Sequence, residues 1–464
     1  MNSPAAKPDA QRLPADDGSL KGLLRIFTVC LLVWSLDYKS ATSGGGAAIQ
    51  GLILGVYLTG AFFLMISALL RGIGMGPVWV LIAAIVLFVV ESSIVGVING
   101  QDSYAIFVNT LPSLVLASAT VITYMTLTSL NDAPEAFLKM LRYACLVFVI
   151  VHLGIVVVTR GSISLSDSRF EVLSAATTPA LAIIAIGFLK RLSRLDIAIF
   201  ILNLFVSVIS VTRTLLVVLA LQIVAVIAAR PRTVLQPVTI KAACGFGAAI
   251  LLILTIDLGA GTGMADRWVE RITVSKKAGA DPTSLTRKAE VSFMLSHFEM
   301  SSETLLFGNG LAAQTSLTGP DARLAAQLVG AQSVYLHSSG FGHENYVSIL
   351  FIAGVLGGGG LLFMLFWNGI QGFMFLRKFK LTDLTDVEVH LGLWGALIVI
   401  GTLAVGFFGG TLGDRDLTVW YGIGTGMLYW ARENKTSAAN AIAGLTPAPT
   451  PVARDRSRLV APGP

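Results

Sequence analysis

The stretch His343-Glu344-Asn345-Tyr346-Val347-Ser348-Ile349-Leu350-Phe351-Ile352-Ala353-Gly354-Val355-Leu356-Gly357 passes from polar to apolar within four residues, and the apolar character then continues to Trp367. A run of this length reads as a helix crossing a bilayer, which needs about 20 apolar residues. Residues 259–345, just before it, contain no convincing span of that kind. A histidine, an asparagine and a tyrosine therefore stand at the lip of a span, at the end of a long polar segment. Histidine there is suited to proton transfer, because its ordinary pKa is near neutrality.

Working outward, the rest of the chain agrees with a membrane setting. Of 464 residues, 54% are hydrophobic and 13% charged, and the mean hydropathy is +0.76. Soluble domains carry roughly 25% charged residues. Further apolar runs lie at 23–36, 47–70, 77–98, 104–127, 141–159, 172–189, 197–211, 215–229 and 239–258 before the polar segment, and at 389–408 and 417–430 after 346–376. The expectation is an all-α polytopic membrane protein of about 12 transmembrane helices. A large loop containing amphipathic helices separates spans nine and ten.

The run at 23–36 has the length of a signal-peptide core, with Ser40-Ala41-Thr42-Ser43 as a cleavage region. Asp16 and Asp17 ahead of it favour an uncleaved first span. Residues 1–20 and 436–464, rich in Ala, Pro and polar residues, read as disordered tails flanking a transmembrane domain over 21–435.

Lysine and arginine set the orientation. With both termini cytoplasmic, 21 of the 33 basic residues fall on the cytoplasmic side; five lie in short external loops and seven in the long loop at 259–345. That asymmetry follows the positive-inside rule and places the long loop, with His343, outside the cytoplasm. The net charge of +6 is then a topology signal and does not call for a nucleic-acid partner. Cys30, Cys145 and Cys244 all sit in apolar runs without metal-ligand spacing, so neither a disulfide framework nor a zinc site is indicated.

Within the long loop, Asp281-Pro282 has the form of a helix start, a capping side chain followed by proline in the first turn. Residues 283–300 then place Leu285, Ala289, Phe293 and Leu295 toward one side, as in a helix lying on the membrane or on the bundle. Arg287 and Lys288 belong to it. Gly308-Asn309-Gly310 reads as a turn ending that element, and residues 319–342 as a mobile approach to His343.

Four blocks, in this order along the chain, resemble the O-antigen ligase and O-antigen polymerase family. They are Ser168-Arg169-Phe170 with Pro179; Ser210-Val211-Thr212-Arg213-Thr214-Leu215; Arg287 followed by Leu306-Phe307-Gly308-Asn309-Gly310; and His343 with Tyr346, Leu350, Gly354 and Gly357. The chain departs from the family pattern at Glu344, where asparagine often follows the histidine, and at Ile352, where a glutamate often stands.

The resemblance implies a bacterial inner-membrane glycosyltransferase of the GT-C type. Its donor would be an undecaprenyl-diphosphate-linked glycan, and its acceptor a saccharide or the lipid A core at the periplasmic face. Polysaccharide assembly proteins are possible partners; no metal or organic cofactor is expected. By the same resemblance His343 is the catalytic residue, Arg213, Arg287 and Arg169 bind the diphosphate, and Tyr346, Asn345 and Glu344 support them.

The chemistry agrees. A leaving diphosphate needs fixed cations, which guanidinium groups supply bidentately, and an attacking hydroxyl needs a base.

Plainer readings stand beside these. Arg213 is placed to snorkel at an interface, Arg160 to anchor a span end, Arg287 and Arg169 to be exposed loop cations, and His343 to cap a span. His297 and His337 lie outside the signature, and His152 reads as a bundle residue. Asp414-Arg415-Asp416 has metal-ligand spacing but reads better as turn charges. Glu91, deep in span three, must face the bundle or be neutral. Gly357 to Gly360 lack the lysine of a phosphate loop and read as a close helix contact. A transporter or lipid-linked glycan flippase is the competing class; it would show repeated halves, and no convincing repeat is present.

Overall fold

The computed structural model describes residues 44–70, 76–129, 133–160, 173–210, 212–231, 282–317, 319–329, 344–378, 386–407 and 415–445, with isolated positions within 22–30 and 247–273. Its elements are helical, and no strand occurs among the described residues. In chain order they are α1 (Gly44–Leu70), α2 (Gly76–Ile98), α3 (Ser103–Ser129), α4 (Ala133–Arg160), α5 (Thr177–Gly187), α6 (Arg194–Ile209) and α7 (Arg213–Ala229). After the long polar segment begins come α8 (Pro282–Met300), α9 (Ser302–Phe307) and α10 (Pro320–Val329). The chain then forms α11 (Asn345–Ala353), a π-helical turn (Gly354–Gly358), α12 (Gly359–Lys378), α13 (Asp386–Gly406) and α14 (Arg415–Leu445).

Among the described residues, five helical segments are long and apolar enough to cross a membrane: Gly76–Ile98, Ser103–Ser129, Ala133–Val156, Asn345–Lys378 and Val387–Gly406. The protein is thus a helical membrane protein. Leu52–Ser67, Thr177–Gly187 and Arg213–Ala229 are apolar but shorter, and the expected spans at 23–36 and 239–258, apart from isolated positions, lie outside the described residues. The run at 172–189 forms only the eleven residues of α5, all of them buried. At 1.5 Å per residue α5 is about 16 Å long, roughly half the hydrocarbon thickness, so it is an internal core segment and not a lipid-facing span. An apolar run alone does not distinguish the two.

The centre of the bundle is α13, which packs against α5, α7, α12 and α14 and, beyond the polar first turn that ends at His390, is apolar on nearly every side, as a helix surrounded by others must be. Trp394, fully buried on it, donates its indole N–H to the Pro179 carbonyl at 2.8 Å, and Gln222 of α7 donates to the Leu397 carbonyl at 3.0 Å. On α14, Gly422 and Gly426 sit against the α3 backbone near Leu116 and Thr120. With no water to exclude, helix association inside a bilayer relies on such close small-residue contacts.

Successive helices run back and forth, so their ends gather at two poles. One collects Arg142, Asp196, Arg230 with the Leu376 carbonyl, and Tyr124 with Glu433. The other collects the α2–α3 turn, residues 308–312, Tyr346 and Leu403. At the first pole Arg142 makes a bidentate pair with Asp196, both N–O distances being 2.7 Å. Asp196 also closes a capping box with Ser193 at the start of α6. Helix α14 continues to Leu445, so the segment from residue 436 begins as helix; its alanines favour that until Pro447.

Candidate functional site

The site at the second pole is built on a break. Gly354 has φ +56 and ends α11; the π-helical turn of Gly354–Gly358 follows, and α12 resumes at Gly359. A break of this kind leaves main-chain carbonyls without their usual helical partners, which inside a bilayer must be satisfied by protein.

The loop 308–312 satisfies them. Asn309 N and its side-chain Nδ2 donate to the Phe351 carbonyl at 2.9 and 3.1 Å, and Gly310 N donates to the Ile352 carbonyl at 2.9 Å. Leu311 N donates to the Ser92 carbonyl of α2 at 3.0 Å. Gly308, at φ +73, presses so close that a Cβ there would lie 2.3 Å from the Ile352 oxygen. The turn therefore does more than end an element. It is docked by its backbone on the broken helix.

Three amide side chains of the α2–α3 hairpin hold the loop from the other side. Asn99 Nδ2 and Gln101 Nε2 donate to the Asn309 carbonyl at 3.0 and 2.7 Å, Asn109 Nδ2 donates to the Leu311 carbonyl at 3.2 Å, and Ala312 N donates to Gln101 Oε1 at 2.8 Å. None of the three was singled out from sequence. The available signal was the polar turn Asn99-Gly100-Gln101-Asp102 between two apolar runs, with Gly100 at φ +69. Gln101→Ala removes two of these bonds and is expected to cost about 1–2 kcal/mol. Hydrogen–deuterium exchange should show the amides of Asn309 to Ala312 exchanging faster, while those of α13 stay protected.

Of the expected site residues, Arg287 lies half-buried on α8, whose range matches the expected start at Pro282. Helix α8 packs on α9, α10 and α11. Its buried face differs from the expectation: Leu285, Thr286, Ala289, Glu290 and Met294 are buried, whereas Leu295 is 47% exposed. Met294 accepts a contact from Ser348 Oγ at 3.7 Å, and the His297 ring lies tilted against Phe293 and edge-on to Phe351, at centroid distances of 4.3 and 5.6 Å. His297 is thus a packing residue. Residues 320–329, expected to be mobile, form α10, which pairs with α8 through Leu285 and Ala325 and through Lys288 with Asp321 at 3.2 Å. Gly319-Pro320-Asp321 was the overlooked helix-start signal.

Glu344 is the N-cap of α11 and makes no side-chain cap bond; its carbonyl accepts from Ser348 N at 3.0 Å. Asn345 is buried. The Tyr346 hydroxyl donates to the Leu403 carbonyl, and its ring lies against Phe366 and Phe407 at 4.9 and 4.7 Å. Tyr346 therefore ties α11 to α13. Arg213 starts α7, half-buried, at the same pole. His343, Arg169 and Asp414 lie outside the described residues. Among the described residues no cluster of His, Cys, Asp or Glu has metal-binding geometry.

Glu91 is half-buried on α2, and no side chain among the described residues partners its carboxyl oxygens. Its Oε2 lies so close to Gly357 that a Cβ there would come within 1.8 Å, which gives the glycine cluster its close contact. Glu91 also lines a groove of about 790 Å³ between α2 and the docked loop. The chain matches no protein-family model and no curated protein.

Proposed function

We propose that this chain is a polyprenyl-diphosphate-dependent glycosyltransferase of the bacterial inner membrane, with twelve spans in a GT-C-like arrangement, cytoplasmic termini and a periplasmic working face. It transfers a glycan from an undecaprenyl-diphosphate donor to a sugar hydroxyl, building a surface polysaccharide such as O-antigen or exopolysaccharide as a polymerase, or ligating O-antigen to lipid A core. Polymerisation is the preferred form.

The observation that carries this reading is the meeting of two of the sequence blocks behind the family resemblance. Leu306 to Gly310 is hydrogen-bonded to Phe351 and Ile352, within the block that begins at His343 and ends at Gly357. Residues 40 apart thus form one unit, beside the helix carrying Arg287 and at the pole where Arg213 starts α7.

In the reaction, the acceptor oxygen attacks the anomeric carbon and the bond from that carbon to the diphosphate oxygen breaks. Undecaprenyl diphosphate leaves with the electron pair, and His343 takes the hydroxyl proton. Arg213, Arg287 and Arg169 hold the diphosphate and stabilise its growing charge, the term that usually dominates such catalysis. Asn345, Glu344 and Tyr346 fix the start of α11 next to the histidine.

Removing the protein from its own cell separates the alternatives. A polymerase leaves single repeat units at the surface. A ligase leaves finished polymer on undecaprenyl diphosphate and a bare lipid A core. Donor trapped at the cytoplasmic face would instead identify a flippase and overturn the transferase reading.

A further inference from the structure

The break at Gly354–Gly358 has two sides, and consecutive residues of α2 touch both. The Ser92 carbonyl takes the Leu311 N–H of the docked loop at 3.0 Å. One residue earlier, Glu91 sets its carboxyl against the main chain of Gly357, in the π-helical turn that opens the second half of the broken helix. Gly357 is buried, and only a residue without a Cβ admits the carboxyl there.

A carboxyl is an expensive neighbour at this place. Glu91 is seven residues before Ile98, about 10 Å along α2 from its end, and ionisable groups at such depth in a bilayer are costly and mark function. The break shows what it serves. Asn309 and Gly310 N–H groups occupy the Phe351 and Ile352 carbonyls, which in an unbroken helix would take the N–H groups of Val355 and Leu356, four residues on. A π turn spaces its bonds five residues apart, which moves the regular partner of the Gly357 N–H out of register. The second half of the helix therefore begins inside the bundle with amides in need of acceptors, at the positive end of its dipole.

We infer that Glu91 is a positioning residue of the transfer site: it accepts the Gly357 N–H, keeps the break open for the loop, and so fixes the head of α11, where Asn345 and Tyr346 stand. It acts as a hydrogen-bond acceptor and not as a charge. Without it the turn relaxes toward an ordinary helix, Val355 and Leu356 recapture the Phe351 and Ile352 carbonyls, and the loop is displaced. The effect on rate rests on the transferase reading; the effect on the loop does not.

The test uses full-length Glu91→Met, Glu91→Gln and Gly357→Ala proteins in proteoliposomes. Hydrogen–deuterium exchange follows the amides of residues 309–311, and transfer from an undecaprenyl-diphosphate oligosaccharide gives kcat and KM. Glu91→Met keeps the length and loses the acceptor. It should exchange about tenfold faster there and lower kcat about tenfold at nearly unchanged KM, the scale of one hydrogen bond. Gly357→Ala should do the same, because its methyl displaces the carboxyl, whereas Glu91→Gln, whose amide oxygen still accepts, should match the wild type in both. A Gln protein as impaired as the Met protein, or a Met protein that exchanges like the wild type, overturns the proposal. So does faster exchange with kcat unchanged, which makes the contact structural only. Wild-type protein that transfers nothing overturns the transferase reading and this role in it, while the exchange comparison still decides whether Glu91 holds the break.

Discussion

Gly354→Val should destabilise the protein by about 3–5 kcal/mol, the range of a substitution that combines backbone strain with a steric clash in a packed site. The residue has φ +56, a region costing an L side chain about 1–2 kcal/mol and poorly tolerated by a β-branched one. A Cβ there would also lie 2.2 Å from the Leu306 carbonyl oxygen and 2.5 Å from Phe307 N. These are main-chain atoms of the docked loop, so no side-chain rotation relieves the contact. The loop must lift, leaving the carbonyls of Phe351 and Ile352 without the bonds from Asn309 and Gly310.

The neighbouring glycines provide the control. Nothing lies within 4 Å of a Cβ at Gly360, and at Gly359 the nearest atom is 3.7 Å away. Gly360→Ala should be neutral or slightly stabilising, because alanine is the better helix former. Thermal melting in detergent reads both variants. A Gly354→Val protein melting with the wild type would refute the docking.

The second large effect is at the opposite pole. Asp196→Ala should cost about 3–5 kcal/mol, because it strands the Arg142 guanidinium in a half-buried position without its partner. Removing both charges, as in Arg142→Leu with Asp196→Leu, should cost much less.

Stability should also depend on acid. Burial alone would push the Asp196 carboxyl up, but the Arg142 and Ser193 hydrogen bonds, with the positive charges of His390 and Arg142, outweigh it and hold the carboxyl below its ordinary range. A depressed folded-state pKa gives stability that is present above the unfolded value of about 3.9 and is lost as pH falls through the folded value. Melting measured downward from pH 6 should therefore show a loss below about pH 4 that Asp196→Asn lacks. An identical acid profile in the two proteins would contradict this.

What the sequence made legible was whatever depends on local periodicity. The expected spans at 77–98, 104–127 and 389–408 agree within a few residues with α2, α3 and α13. The Asp281-Pro282 start likewise agrees with α8. What was not legible depends on partners far along the chain. Leu295 follows the apolar pattern of α8 but points away, because the helix settles on Met294 and the Phe293–Phe351 contact. The shortness of α5 follows from its burial inside the bundle.

The site shows the same division. Gly308-Asn309-Gly310 announces a turn, but nothing in its spacing says that its N–H groups fill a broken helix 40 residues later. Nor does it say that Gln101, more than 200 residues earlier, clamps it. Such pairings are set by tertiary packing and leave no periodic trace.

The most direct measurement of the central claim is transfer by the purified protein in proteoliposomes, supplied with an undecaprenyl-diphosphate oligosaccharide and an acceptor. The account predicts one undecaprenyl diphosphate released for each glycosidic bond formed. It also predicts a His343→Ala protein that melts like the wild type but turns over about 10²–10⁴-fold more slowly, the usual contribution of a positioned base. Wild-type protein that releases no undecaprenyl diphosphate, or a His343→Ala protein that matches its rate, would contradict it.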